Sequence, residues 1–159
     1  MDWLPALIDC NGEWERTLER VHAQYQADFL ERGLRFRGAP VHLRSGPRTG
    51  GKDACFWHLI SEGETEEERT PDFRRCERMG WVRALIERAE NHQDISIWEQ
   101  ARKGRTNVVI ALPDFSYMVV LAKRTPKAGN PYFVLLTAHY VEYEHRREKL
   151  RKEYKSFHS

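Results

Sequence analysis

A series of four strand-length segments in the second half of the chain constrains the fold more than any other feature. In order, they cover residues 96–102, 107–112, 117–123 and 132–143. Each is rich in the β-branched, aromatic and aliphatic residues that strands favour, and turn signals at 113–114 and 126–131 separate the later ones. Consecutive strands joined by short turns pair with one another in antiparallel order. The sequence therefore predicts an antiparallel sheet.

Three other segments have the residue spacing of amphipathic helices. They cover residues 12–32, 71–90 and 144–157. In the first, Asn11 is placed to cap the helix and Gly33 to end it, and in the second Pro71 suits a first helical turn, with a possible kink at Gly80. These patterns predict an N-terminal, a middle and a C-terminal helix.

The remaining segments are short. Residues 41–44 are a candidate for a short strand within a loop rich in Gly and Pro. Residues 54–60 (ACFWHLI) predict a buried strand that carries His58. The acidic segment 61–70 predicts a solvated loop.

Together these elements predict an α+β fold, in which the three helices pack on an antiparallel sheet of four to five strands. With 159 residues the chain is long enough for one core, so we expect a single domain, 1–159. Residues 1–50 would form the N-terminal helix and loop, and residues 51–159 the sheet-containing catalytic core.

Several classes of function lack their usual motifs. The three cysteines have no CxxC pair and no zinc-ligand spacing, and no Walker loop, GxGxxG, HExxH or GxSxG motif is present. We therefore expect no metal and no cofactor.

The longest apolar run, 118–122, is too short to cross a bilayer and the N-terminus does not resemble an export signal, so we expect a cytoplasmic protein without a membrane partner.

Charge is unevenly distributed although the net charge is only +2. Acidic residues collect at 62–68, whereas basic residues collect at 74–88, 102–105, 123–127 and 146–155. Separate basic segments that converge in space are typical of nucleic-acid binding. On the middle helix, Arg74, Arg75 and Arg78 are the candidate phosphate ligands; the alternative is a solvated face paired with neighbouring glutamates.

The last predicted strand contains the residues that best suit catalysis. In the segment 135–140 (LLTAHY), alternation places Thr137 and His139 on one face, and Leu136, Ala138 and Tyr140 on the other. The hairpin before this strand brings Lys123 and Arg124 towards its start. With His58 from a neighbouring strand, this set suits RNA cleavage by the 2′-hydroxyl: imidazoles move protons and a cation stabilises the transition state without a metal.

Residues 107–141, which run from NVVIALPDFSYMVVLAKR to YFVLLTAHYV, resemble the sheet of the barnase, EndoU, colicin and RelE-like ribonuclease superfamily (BECR fold). The resemblance implies that His58 is a general acid or base and that Lys123 or Arg124 is the phosphate-stabilising cation. It also implies that Thr137 contacts the substrate, with His139 and Tyr140 at positions where an aromatic residue is common. We expect Tyr140 to bind substrate together with Arg74, Arg75 and Arg78.

The segments GKDACFWHLISEG, PDFRRCERMGW and VEYEHRREKLRKEY resemble small proteins of bacterial mobile elements and phages. This resemblance implies a setting, a toxin–antitoxin or phage-conflict system, more than a reaction. Together with the predicted ribonuclease site, it leads us to expect an endoribonuclease toxin that cleaves tRNA or mRNA. Its partners would be RNA and an antitoxin protein.

Three alternatives stay open. The chain could be a non-catalytic nucleic-acid-binding accessory protein, or an interaction protein that docks through exposed Trp3, Trp14 and Trp98. A metal-dependent nuclease is the third, with carboxylates drawn from Asp53, Glu62, Asp72, Asp94, Glu99 and Asp114.

Overall fold

The computed structural model describes residues 1–63, 65 and 67–159, and its helices and strands alternate in the first half of the chain. In chain order they are α1 (Trp14–Tyr25, continued by a π-helical turn at Gln26–Leu30), β1 (Arg35–Phe36), β2 (Ala39–Leu43), α2 (Ala54–Ile60), β3 (Ser61–Glu62), β4 (Thr70–Pro71), α3 (Phe73–Glu77), α4 (Met79–Asn91), β5 (Ser96–Arg102), β6 (Arg105–Ala111), β7 (Tyr117–Arg124), β8 (Tyr132–Tyr140) and α5 (Glu144–Phe157).

The main sheet has six strands in the order β1-β2-β8-β7-β6-β5. The four strands β5 to β8 pair antiparallel in sequence order, which confirms the predicted meander. The prediction of a purely antiparallel sheet of four to five strands is wrong, because β2 pairs parallel with β8 and β1 adds a sixth strand. A parallel pair needs a long crossover between its strands, and no local sequence pattern indicates which distant strand will be the neighbour.

The sheet has helices on both faces. The face covered by α1, α2 and α4, called here the inner face, packs the larger core, with Val108, Val119 and Leu135 at its centre. The opposite, outer face has a smaller core, in which Trp98 and Val109 pack against Leu150 of α5. Both cores come from one sheet, so the strands β6 and β7 are buried on both sides.

Residues 54–60 form the helix α2 and not the predicted strand. The side chain of Asp53 accepts a hydrogen bond from the amide of Phe56 at 2.8 Å and caps the helix, as N-cap residues do. Cys55 and Leu59 are four residues apart and both belong to the inner core. Such a short apolar run is ambiguous by periodicity alone, so the capping residue before it is the better guide.

The segment 61–90 also differs from its prediction. The predicted loop at 61–70 begins and ends in the strands β3 and β4, which pair with each other; Glu64 and Glu66 lie outside the described residues. The predicted middle helix is divided into α3 and α4 at Arg78, whose φ of −105° and ψ of 18° break the helical geometry. The helix continues through Gly80, so the expected kink is at Arg78 instead.

Other elements agree closely with the sequence. The strand β5 and the terminal helix α5 have the predicted bounds, and the helix α1 lies within the predicted 12–32. Within the described part of the chain, no helix has both the length and the apolar character that crossing a bilayer requires.

A buried tyrosine–aspartate pair joins α1 to the start of α2. The hydroxyl of Tyr25 lies 2.9 Å from Oδ1 of Asp53 and donates a hydrogen bond to this carboxylate. Tyr25 is fully buried and Asp53 is 6% exposed. The same carboxylate that caps α2 therefore satisfies the only polar atom of a core side chain.

We expect Asp53→Ala to lower the free energy of unfolding by about 2–3 kcal/mol, because it removes a helix cap and the carboxylate that accepts the hydrogen bond of the buried Tyr25 hydroxyl. Urea unfolding followed by circular dichroism measures the change. The matched control is Glu13→Ala: Glu13 is the N-cap residue of α1 but its side chain makes no capping bond. An equal loss in the two variants would contradict this account.

Candidate functional site

A groove of about 820 Å³ lies on the outer face of the sheet, beside α5. Its floor is made by outward-facing residues of β6, β7 and β8, namely Asn107, Met118, Val120, Leu136, Thr137 and His139. Its walls come from the start of α3 on one side and from α5 on the other, with Phe73 and Arg74 facing Arg146 and Lys149. The helix α5 covers β5 to β7 only in part, which leaves β8 open to the groove.

A β-bulge in β8 shapes this floor. Val120 of β7 faces Thr137, whereas the next residue, Leu121, faces Leu135, so Leu136 is the extra residue. Leu136 packs against the outer core and lines the groove together with Thr137. The prediction that Leu136 points away from Thr137 is therefore wrong, since a bulge interrupts the alternation of side chains.

Among the described residues that line the groove, His139 is the one histidine. Burial, and then the nearby cations Arg75 and Arg146, lower its pKa to about 4. Its Nδ1 atom is buried and has no hydrogen-bond partner among the described residues. The imidazole is therefore neutral at pH 7, and a ring nitrogen without a proton can accept a hydrogen bond. Buried polar atoms normally have a partner, so the Nδ1 atom is unusual.

Three arginines surround the ring of Tyr140, next to His139. The guanidinium carbons of Arg78, Arg74 and Arg147 lie 4.2, 5.5 and 5.6 Å from its centroid. Arg147 also donates a hydrogen bond to the Tyr140 hydroxyl at 3.2 Å. Cations over an aromatic face attract it electrostatically, so this cluster joins α3, β8 and α5 at one end of the groove.

Carboxylates balance part of this positive charge. Arg74 forms an ion pair with Glu142 at 3.4 Å, and Nε of Arg75 lies 3.6 Å from Asp72. Arg75 also donates to the carbonyl of Ser61, and its pKa is lowered mainly by burial. Arg75 and Arg78 thus act within the protein, whereas Arg74, one of the three candidate phosphate ligands, lines the groove.

Three other cationic side chains that line the groove form no ion pair with a carboxylate among the described residues. They are Arg102, Arg146 and Lys149. Nearby, Glu153 accepts hydrogen bonds from Trp98 at 3.2 Å and from Gln100 at 2.5 Å, which ties α5 to β5. Free cations therefore lie along the α5 side and at the β5 end.

Two exposed aromatic side chains stand in the groove lining. Phe73 is 55% exposed and Tyr143 is 59% exposed. Phe73 contacts the ring of Trp14 edge-on at a centroid distance of 5.9 Å, which leaves one part of the ring free. Large exposed aromatic rings beside cations suit the stacking of unpaired nucleobases.

The predicted catalytic residues do not all meet. His58 lies on α2 and is partly exposed, and among the described residues the groove lining includes Thr137 and His139 but not His58. The carboxylate of Glu99 lies 3.5 Å from Nζ of Lys123, which lines another cavity on the inner side together with Phe133.

Arg124 is also distant from Thr137. It pairs with Tyr132 at the start of β8, five residues before Thr137, or roughly 16 Å along the strand at about 3.3 Å per residue. The geometry therefore brings together two of the five predicted catalytic residues, with Arg74 and Tyr140 from the predicted binding set.

Four residues of the groove are not among the predicted site residues: Phe73, Tyr143, Arg146 and Lys149. The sequence signal for the last two is the basic excess of 146–155, which does not show where in the fold these cations lie. The other two are isolated aromatics next to charged residues, and no local pattern distinguishes such residues from core positions.

Two structural findings bear on the alternatives of an interaction protein and of a metal-dependent nuclease. Trp98 is 1% exposed beneath α5, so the prediction that it is an exposed docking residue is wrong. Among the described residues, no three His, Cys, Asp or Glu side chains lie close enough together to hold a metal ion.

Comparisons with protein-family models, with curated proteins and with solved structures found no match for this chain.

We expect His139 to make the protein less stable in acid. Its pKa is about 4 in the folded protein and about 6.5 in an unfolded chain, so its contribution is complete above pH 6.5 and is lost as the pH falls towards 4. At most about 3.5 kcal/mol is involved, at about 1.4 kcal/mol per pKa unit. The difference in unfolding free energy between pH 7 and 4.5 should be smaller in His139→Gln than in the wild type.

The matched control is His92→Gln, which replaces an exposed histidine at the end of α4. Its pH dependence should equal that of the wild type. If His139→Gln and the wild type lose stability in parallel, His139 is not the buried neutral group described above.

Proposed function

We propose that the chain binds unpaired RNA in the groove and cleaves it without a metal, with His139 as the general base. The observation that carries this proposal is the neutral imidazole of His139, set beside Thr137 in a groove lined by cations and by two exposed aromatic rings. Each of these groups has a separate role in the binding or the chemistry of RNA.

Binding is supported by the arrangement along the groove. Phe73 and Tyr143 offer faces on which unstacked bases can lie, and Arg102, Arg146 and Lys149 are available to phosphates. The volume of about 820 Å³ is of the order of a large ligand site, which suits a short stretch of single strand. Four carboxylates also line the groove, so its affinity should depend on stacking as much as on charge.

The chemistry needs a group that removes the proton of the 2′-hydroxyl. In the proposal the neutral His139 takes this proton, the 2′-oxygen attacks phosphorus, and the bond to the 5′-oxygen breaks. Water supplies the proton of the departing oxygen, and the products are a 2′,3′-cyclic phosphate and a 5′-hydroxyl. The hydroxyl of Thr137 and the guanidinium of Arg146 are suited to stabilise the charge on phosphorus.

Three residues that the sequence predicts to be catalytic have no role in the proposed reaction, because they are not among the described residues that line the groove. They are His58, Lys123 and Arg124. The toxin activity, the antitoxin partner and the cleavage of tRNA or mRNA in particular stay predictions from the sequence resemblance.

A non-catalytic RNA-binding protein is the second candidate, and one observation favours it. His139 is the one imidazole in the described lining, and its low pKa makes it a weak base. A site of this kind would bind RNA through the same rings and cations and leave it intact.

Cleavage separates the two candidates. We expect wild-type protein in EDTA to cut an end-labelled unpaired RNA and to leave 2′,3′-cyclic phosphate ends, as read on a denaturing gel. His139→Gln should be slower by about 100-fold or more, the usual effect of losing a general base. His58→Ala is the matched control and should cut at the wild-type rate.

Intact RNA with the wild type, together with normal RNA binding, would establish the second candidate. Loss of cleavage in His58→Ala with full activity in His139→Gln would refute the assignment of the base. Equal cleavage by all three proteins would indicate a contaminating ribonuclease.

Stacking is tested by Phe73→Ala and Tyr143→Ala. We expect each to weaken the binding of unpaired RNA by about 1–3 kcal/mol, the usual contribution of one stacked base, in a fluorescence anisotropy titration. Phe157→Ala is the control, since Phe157 is similarly exposed but lies outside the lining of the groove. Equal weakening in all three variants would contradict base stacking in the groove.

A further inference from the structure

Three hairpin connections meet at one end of the main sheet. The β1–β2 turn is at Arg37 and Gly38, the β5–β6 turn is at Lys103 and Gly104, and the β7–β8 connection covers residues 125–131. The pairing register places them together: Lys123 faces Thr106 on one side and Phe133 on the other, and Phe133 faces Val41. We call this the turn end of the sheet.

Basic residues dominate the turn end. They are Arg35, Arg37, Arg102, Lys103, Arg105, Lys123, Arg124 and Lys127. The sequence contains no acidic residue from 100 to 113, from 115 to 141 or from 32 to 52. Within the described residues, Lys123 is the one member of this set that forms an ion pair, with Glu99 at 3.5 Å. The carboxylate of Glu90 accepts a hydrogen bond from the amide of Arg37. Cations therefore outnumber carboxylates at the turn end, whereas four carboxylates line the groove.

Two of these basic residues occupy strained positions. Arg37 and Lys103 both have a φ of 51°, in the left-handed region, and each is followed by a glycine with positive φ. Two-residue turns of this type favour Asn, Asp or Gly at the first position, where another residue costs about 1 kcal/mol. A long cation stands at this position in both hairpins although the turn itself does not require the charge. The guanidinium carbon of Arg37 lies 5.1 Å from the centroid of the Phe36 ring, and Lys103 forms no ion pair among the described residues.

The turn end differs from the groove in a second way. Among the described residues, none of the exposed large apolar side chains lies in the three turns, and Phe157 lines a cavity with Arg102 at the edge of β5. The ring of Tyr132, opposite Arg124, is half-buried and packs against His42 at a centroid distance of 4.8 Å. The three turns therefore offer little aromatic surface on which unpaired bases can stack and no exposed large apolar side chain to insert into a lipid layer. Cations alone suit the phosphate backbone of a helical nucleic acid.

The two surfaces are continuous. Arg102 belongs to the turn end and also lines the groove. Six strands at about 4.8 Å spacing make the turn end roughly 24 Å wide, enough to contact several phosphates of a duplex while a single strand continues into the groove.

We propose that the turn end binds the phosphate backbone of double-stranded RNA, so that the substrate is a folded RNA with a stem at the turn end and an unpaired segment in the groove. This deepens the function proposed above and rests on it. Arg37 and Lys103 contact backbone phosphates, and the strained turns hold these cations at the tips of their hairpins.

The variant Arg37→Asn with Lys103→Asn tests this directly. Asparagine suits left-handed turn positions, so the melting temperature should stay equal or rise while two cations are lost. The control is Arg16→Gln with Lys152→Gln, which removes the same charge from exposed positions of α1 and α5. Each protein is titrated by fluorescence anisotropy with an RNA duplex, with unpaired RNA of the same length and with vesicles containing phosphatidylserine, at several salt concentrations.

We expect the Arg37→Asn, Lys103→Asn protein to bind the duplex at least several-fold more weakly than the control variant. The slope of log affinity against log salt should fall by about 1–2, one unit or less for each lost phosphate contact. Binding and cleavage of unpaired RNA should change much less, since the groove is intact.

Equal duplex binding by the two variants, or no duplex binding by the wild type, would overturn the inference. So would a larger effect on vesicle binding than on RNA binding. In each of these outcomes the cleavage of unpaired RNA by the wild type decides the groove's function separately, so the failure of one proposal is distinguishable from the failure of the other.

Discussion

The structure depends on strand β8, because this strand is paired along both edges and packed on both faces. β7 pairs along one edge for the full length, whereas β2 pairs along the other only opposite residues 133–135. Beyond that point α2 and α3 contact β8, and Sγ of Cys55 lies 3.9 Å from the Leu135 carbonyl. The inner side of β8 therefore anchors the larger core, while its bulge turns Leu136 and Thr137 together towards the groove.

The cationic side chains of two surface regions differ in burial and in pairing with carboxylates. At the end of β8, arginines are enclosed by the ring of Tyr140 and by the carboxylates of Asp72 and Glu142, so much of their charge serves to join α3, β8 and α5. At the turn end the cations extend from hairpins with few acidic neighbours. Since exposed, unbalanced cations interact with polyanions most strongly, the attraction and the chemistry of the proposed function are located at different places.

The success of sequence reasoning followed the strength of the local pattern. The strand β5 and the helix α5 agree with their predicted bounds because alternation or helical spacing is sustained over their whole length. The predicted strand at 54–60 is a helix in the structure, because a short run of apolar and aromatic residues fits either period and the cap provided by Asp53 favours the helix. His58 lies in that segment, and on α2 it is separated from the groove, so it does not join Thr137 and His139 as predicted.

The amino-acid sequence by itself determined the meander, its turns, the terminal helix and the presence of Thr137 and His139 on one face, since these follow from residues that are neighbours in the chain. Only the tertiary structure decided that β2 lies parallel beside β8, that Lys123 faces the inner side, and that three basic turns meet at one end. Those features depend on which distant segments bury one another's apolar surface, and burial of this kind is non-directional, so it leaves no local pattern in the sequence.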